Sequence, residues 1–140
     1  TNLTSSFNCS QIVLPYMKKQ KSGSIINVTS INSKLAFPNN PAYIASKGGL
    51  RMLTKSLAKD WGKYGIRINN LAPGYFVTDM NKKTYANKNK RKSRAEKTML
   101  KRWGKLNDLL GPCIFLASDA SDYVTGIDLF VDGGWVSNGL

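Results

Sequence analysis

The sequence predicts an α/β fold, a doubly wound parallel sheet of about three strands with helices on both faces. Three observations predict it. Helical and strand-like stretches alternate, in the order helix, strand, helix, strand, insertion, helix, strand. Each strand-like run is short, apolar or β-branched, and bounded on at least one side by Gly or Pro. The chain has 140 residues and no internal repeat, which fits one domain with a core of its own.

The elements follow in order. Residues 5–20 carry Phe7, Ile12, Val13, Tyr16 and Met17 at helical spacing and end in Lys18, Lys19 and Lys21. That pattern is an amphipathic helix with a basic last turn, kinked at Pro15 and stopped by Gly23. Ser24 to Thr29 reads as a buried strand, and residues 31–41 as a loop punctuated by Pro38, Asn39, Asn40 and Pro41. A long helix is expected from Ala42 to about Tyr64, burying Ile44, Leu50, Leu53, Leu57, Ala58 and Trp61 and ending at Gly65. Ile66 to Ala72 is a second strand, stopped by Pro73-Gly74. A basic, partly helical insertion follows. A helix over residues 107–118 takes Asn107 as its N-cap, and Ile127 to Val131 is the third strand, closed by Gly133-Gly134.

Composition removes several kinds of chemistry. There is no histidine, so Ser-His-Asp and Cys-His nucleophilic sites and His-based zinc sites are excluded within these residues. Cys9 and Cys113 are too few for a metal cluster or a disulfide framework and read as small residues packed in helices. That usage suits a reducing cytoplasm, the expected compartment. No apolar run approaches the roughly 20 residues that span a bilayer. The longest, Cys113 to Ala117, reads as a core segment. Acid–base chemistry therefore falls to carboxylates, Lys or Tyr.

The formal charge is +13 and is concentrated. Lys82, Lys83, Lys88, Lys90, Arg91, Lys92, Arg94, Lys97, Lys101 and Arg102 face only Asp79 and Glu96 across residues 79–102. The readings are a solvated mobile segment, a surface that attracts an anionic substrate or cofactor phosphates, and a nucleic-acid surface. No zinc-finger, RNP-type or GXXG pattern supports the last, so no nucleic-acid partner is expected.

In open parallel sheets, ligands bind outside the carboxyl ends of the strands. Those ends are Thr29-Ser30, Ala72-Pro73-Gly74 and Val131-Asp132. Tyr43 and Lys47 stand four apart at the start of the long helix, on one face. A cation within ~4–6 Å lowers an acid's pKa by about 1–3 units, which would make a tyrosine a usable acid–base group. Ser30 can hydrogen-bond a substrate carbonyl, Gly74 lets backbone approach a ligand, and Thr78 offers a hydroxyl.

Together these residues resemble the short-chain dehydrogenase/reductase family. The resemblance runs through Gly23 to Ser30, Tyr43 to Gly49, Asn69 to Gly74, Phe115 to Asp119 and Val131 to Gly134. The family's serine-to-tyrosine spacing of 13 holds between Ser30 and Tyr43, and its tetrad asparagine falls on Asn2, 28 residues before Ser30. The resemblance implies a Rossmann-type sheet, incomplete here, with residues 1–140 as the carboxy-terminal catalytic half of one domain. It implies NAD or NADP as cofactor and hydride transfer between a secondary alcohol and a ketone. Tyr43 is then the proton donor and acceptor, Lys47 its partner on the nicotinamide ribose, and Ser30 the group that orients the substrate. Asn2 supports a water linking Lys47 to solvent, while Pro73, Gly74, Val77 and Thr78 line the nicotinamide and pyrophosphate. Residues 79–102 become a basic substrate lid. The partners expected are a small-molecule substrate, anionic by the charge of the lid, and further copies of the protein in a dimer or tetramer.

Trp61 to Ile66 and Ala72 to Met80 resemble gluconate 5-dehydrogenase and related sugar-acid enzymes within the family. The alternatives are a 3-oxoacyl-ACP reductase, whose acidic carrier also suits a basic rim, and an inactive fragment or basic binding module. Enoyl reductases of the superfamily space Tyr and Lys further apart. The family's glycine-rich phosphate turn and the residue that selects NAD or NADP have no match here. Residues 1–140 alone are therefore expected neither to bind cofactor nor to turn over. The start at Thr1, without Met, is the start expected of a fragment.

Overall fold

The computed structural model describes residues 2–138. Its helices are α1 (Thr4–Gln20), α2 (Pro41–Trp61), α3 (Lys82–Ala86), α4 (Lys88–Glu96) and α5 (Leu110–Ala117). Its strands are β1 (Gly23–Val28), β2 (Ile66–Pro73) and β3 (Asp128–Val131). The strands form one sheet in the order β1-β2-β3, parallel throughout. Gly23 pairs with Ile66 and Val28 with Leu71, and Asn70 pairs with Asp128 and Pro73 with Val131. The predicted alternation and parallel sheet are both present, and all three strands end on the same side.

The main core cluster forms where α2 crosses β2. Leu57, Ala58 and Trp61 of α2 meet Ile66 and Ile68, with Leu14 and Met17 of α1 and Ile25 of β1 packed around them. Burying a side chain of this size stabilises by about 1.5–3 kcal/mol, so this cluster is the main tie between α2 and the sheet. Gly65 then reverses the chain at φ 73°, a left-handed turn that costs glycine little.

Several expectations change. The left-handed residue that ends α1 is Lys21, at φ 53°, with its N–H bonded to the Lys18 carbonyl; Gly23 already belongs to β1. Pro15 lies inside α1, which runs to Gln20 as expected. β1 is only half-buried, with Val28 exposed at 54%, because it forms an edge of the sheet among the described residues. Asn107 is not an N-cap. It lies inside a 3-10 turn at Leu106–Leu109, and Asp108 reaches back to accept from the Lys105 N–H at 2.8 Å.

The segment Cys113 to Ala117 is not core throughout. Leu116 is fully buried, but Ile114 is 64% exposed and Cys113 lies at the surface, as does Cys9. These helices carry apolar residues on two faces, and the sheet covers only one. Among the described residues, no helix is long and apolar enough to cross a membrane, and no cluster of potential metal ligands occurs.

Candidate active site

β1 delivers Ser30 to the carboxyl edge of the sheet. Thr29 is buried and donates its hydroxyl to the Leu71 carbonyl at 3.3 Å, fixing the strand end against β2. Ser30 is extended, at φ −172°, and starts a 3-10 turn at Ile31–Ser33. Its Oγ accepts from the Asn32 N–H at 3.2 Å and donates to Asn32 Oδ1 at 3.3 Å. Short hydroxyl side chains commonly satisfy such turn starts, and this one holds Ser30 in place.

Pro41 opens α2, its fixed φ suited to a first helical turn. Tyr43 and Lys47 follow on consecutive turns. The Lys47 Nζ lies 5.7 Å from the centre of the Tyr43 ring and donates to the Val28 carbonyl at 2.8 Å. The ammonium thus sits between the end of β1 and the tyrosine. Burial pushes the Lys47 pKa below its ordinary 10.5.

The azimuth of α2 is set by a polar chain through the sheet. Asn27 of β1 donates to Thr54 Oγ1 at 2.8 Å, and Thr54 donates to Asn70 Oδ1 at 2.7 Å. Asn70 Nδ2 reaches Asp128 of β3 at 2.9 Å, and Asp128 accepts from Arg51 at 2.7 Å and pairs with Lys55 at 3.0 Å. Burial raises the Asp128 pKa, but hydrogen bonds from Arg51, Lys55 and Asn70 outweigh it, and the carboxyl ends below its ordinary range. Asn69 serves the neighbouring crossover, donating to the Val124 carbonyl and accepting from Ile127 N–H. Thr54, Asn69 and Asn70 are all 0% exposed.

β2 delivers Pro73 and Gly74. A Cβ on Gly74 would lie 2.9 Å from the Asp132 Cα, so this glycine permits close packing against the residue that follows β3. Beyond it, Val77 is exposed and donates its N–H to the Gly104 carbonyl at 3.2 Å. Thr78 is half-buried at the start of a 3-10 turn, and its hydroxyl does not cap that turn. Asn2 is exposed and its carbonyl accepts from Ser6 at 3.4 Å; no hydrogen bond joins it to Lys47 among the described residues.

The basic segment folds into α3 and α4 and leans on aromatic rings. Tyr75 stacks on Trp135 at 5.1 Å, Phe37 lies 6.0 Å from Trp135, and Trp103 meets Tyr75 and Tyr85 at 5.2 Å each. Its far end is tied down by Arg102, which grips Asp108 at 2.6 and 3.2 Å. That hydrogen bond, with one from the Lys105 N–H, lowers the Asp108 pKa from an ordinary 3.8 to about 2. A depressed carboxylate pKa contributes stability above about pH 4 and loses it as pH falls through about 2. Arg102 also donates to the Trp103 carbonyl at 3.1 Å. An acid titration is therefore expected to show a Trp103 emission change centred near pH 2, absent in Asp108→Asn.

The fold is that of a partial Rossmann-type sheet, and comparison with known proteins gives the family. A family model described as enoyl-(acyl carrier protein) reductase matches residues 1–136, and the chain belongs to the short-chain dehydrogenase/reductase family. It is 41% identical over 134 residues to gluconate 5-dehydrogenase of Gluconobacter oxydans, covering 96% of this chain and 52% of that protein. It is 42% identical over 135 residues to the 3-oxoacyl-[acyl-carrier-protein] reductase FabG of Staphylococcus epidermidis, covering 96% and 54%. A solved gluconate 5-dehydrogenase from Burkholderia cenocepacia, in complex with NADP and tartrate, superposes with a TM-score of 0.94 at 46% identity, covering 97% of this chain and 53% of that one. The chain spans about half the length of the curated relatives it matches.

Proposed function

We propose that residues 1–140 form the proton-transfer and substrate-binding half of an NAD(P)-dependent dehydrogenase acting on a sugar acid such as gluconate. The observation that carries this reading is the seat of Lys47, hydrogen-bonded to the end of β1 and 5.7 Å from the Tyr43 ring. A cation held there stabilises negative charge on the tyrosine oxygen as a proton leaves it. Tyr43 gives that proton to the substrate oxygen in reduction and takes it back in oxidation. Ser30 Oγ hydrogen-bonds the same oxygen, and Asn2 supports a water that returns protons to Lys47.

The residues present suit the nicotinamide end of a dinucleotide. Lys47 would hold the ribose, and Val77 and Thr78, whose hydroxyl is not spent on its own turn, lie past the adjoining strand end, where they would line the nicotinamide with Pro73 and Gly74. A bound nicotinamide would accept hydride in oxidation and give it in reduction; these side chains would orient the reacting carbon and exclude water from it. The sequence has no G-x-x-x-G-x-G turn for the phosphates. Residues 79–102 act as the lid, and their cations favour a carboxylated substrate. A shallow apolar groove between α1 and α2, lined by Leu3, Phe7, Met52 and Leu53, is suited to a second copy, giving a homo-oligomer.

Similarity to FabG, at 42% identity, supports a second reading, reduction of a 3-oxoacyl chain on an acidic carrier. The test is a panel of D-gluconate, 5-ketogluconate and a 3-oxoacyl thioester, offered to the whole protein with each nicotinamide cofactor. Turnover confined to the gluconate pair is expected. Turnover of the thioester alone would replace the first reading by the second.

A further inference from the structure

Of the cations on α4, Lys88, Lys90, Arg91 and Lys92 are exposed, and Arg94 alone is half-buried. Its guanidinium carbon lies 5.1 Å from the centre of the Tyr75 ring and 6.0 Å from that of Trp135. Lys97 adds a second cation 5.9 Å from Trp135. Among the described residues neither joins an ion pair. The nearby cations Lys92 and Arg102 do, with Glu96 and Asp108.

The rings beneath Arg94 come from the segments that frame the reaction. Tyr75 follows Gly74 at the end of β2, Trp135 lies just past β3, and Phe37, packed on both, belongs to the loop between Ser30 and Tyr43. A guanidinium held against rings has its charge partly compensated, but its five N–H donors form a fork that ring faces do not satisfy. A carboxylate matches that fork with two parallel hydrogen bonds, which a lysine cannot reproduce.

We propose that Arg94 receives the carboxylate of the substrate, with Tyr75 and Trp135 as the platform that holds its guanidinium over the strand ends. The inference deepens the sugar-acid reading above and rests on it. The ligand class is a polyhydroxy monocarboxylate, bound with its carboxylate toward α4 and a secondary hydroxyl toward Tyr43 and Ser30.

The test uses the whole protein with D-gluconate and its uncharged analogue D-gluconamide. In Arg94→Ala, KM for gluconate is expected to rise about 10–100-fold, the range for losing a hydrogen bond to a charged group, with little change in kcat. KM for gluconamide should stay within about twofold, and Arg94→Lys should recover only part of the gluconate effect. Saturable quenching of tryptophan emission by gluconate, measured without turnover, should weaken in parallel. Equal losses for both ligands, or full recovery in Arg94→Lys, would reduce Arg94 to a clamp between α4 and the rings and overturn the proposal. A wild-type protein that turns over other substrates but neither oxidises gluconate nor is quenched by it would remove the sugar-acid reading and this inference with it.

Discussion

Tyr43→Phe is expected to lower kcat by about 10²–10⁴-fold, the range that positioned acid–base groups contribute. The substitution removes one oxygen and leaves the ring that contacts the Lys47 ammonium, so the seat of that cation at the Val28 carbonyl is retained. Folding should be unaffected, because among the described residues no hydrogen bond uses the Tyr43 hydroxyl; the helix is held by Thr54, Arg51 and the apolar cluster. Steady-state kinetics beside a urea titration decide the matter. A large fall in kcat at unchanged unfolding midpoint supports the proton-transfer role, whereas retained turnover would place that role elsewhere.

The largest effect on stability is expected at Thr54. This side chain is 0% exposed, accepts from Asn27 Nδ2 and donates to Asn70 Oδ1. Valine has nearly the same shape and neither capacity. Thr54→Val therefore strands a buried donor and a buried acceptor, each costing about 1–3 kcal/mol, for a total of roughly 2–6 kcal/mol. The urea midpoint should fall with no change in slope, which separates lost stability from a changed unfolded state. Thr54→Ser keeps the hydroxyl and should lose much less. If Val and Ser behave alike, the hydrogen bonds are not what holds α2 to the strands.

The fold was legible in the sequence because its signals are local. Glycine opens each strand region, Pro73-Gly74 and Gly133-Gly134 close the last two, and the spacing of Leu50, Leu57 and Trp61 declares which side of α2 is buried. Ser30, Tyr43 and Lys47 were legible through their spacing and their places at element ends. Asn69 and Asn70 were visible only as part of a motif. Polar residues inside a strand do not announce burial, and their partners at Val124, Ile127, Thr54 and Asp128 lie far away in the chain.

Other misses have equally physical causes. Periodicity shows that α5 has apolar residues but not which of its faces finds a partner, so Cys113 and Ile114 were assigned to a core they do not join. Arg94 was hidden among ten basic residues, and only the packing of Tyr75 and Trp135 beneath it sets it apart. The contact of Gly74 with Asp132 was likewise out of reach, since its partner lies 58 positions later.

Tyr43, Lys47, Arg51 and Lys55 recur every fourth residue and so form a single stripe along α2. The lower two are locked to Asp128, while Lys47 reaches the end of β1 beside the Tyr43 ring. The helix is thus keyed like a shaft, its angular position set at one end and used at the other. Adding or deleting one residue between Lys47 and Arg51 would turn the upper pair by about 100° relative to the key. The interval between them can tolerate many side chains, but its length is fixed.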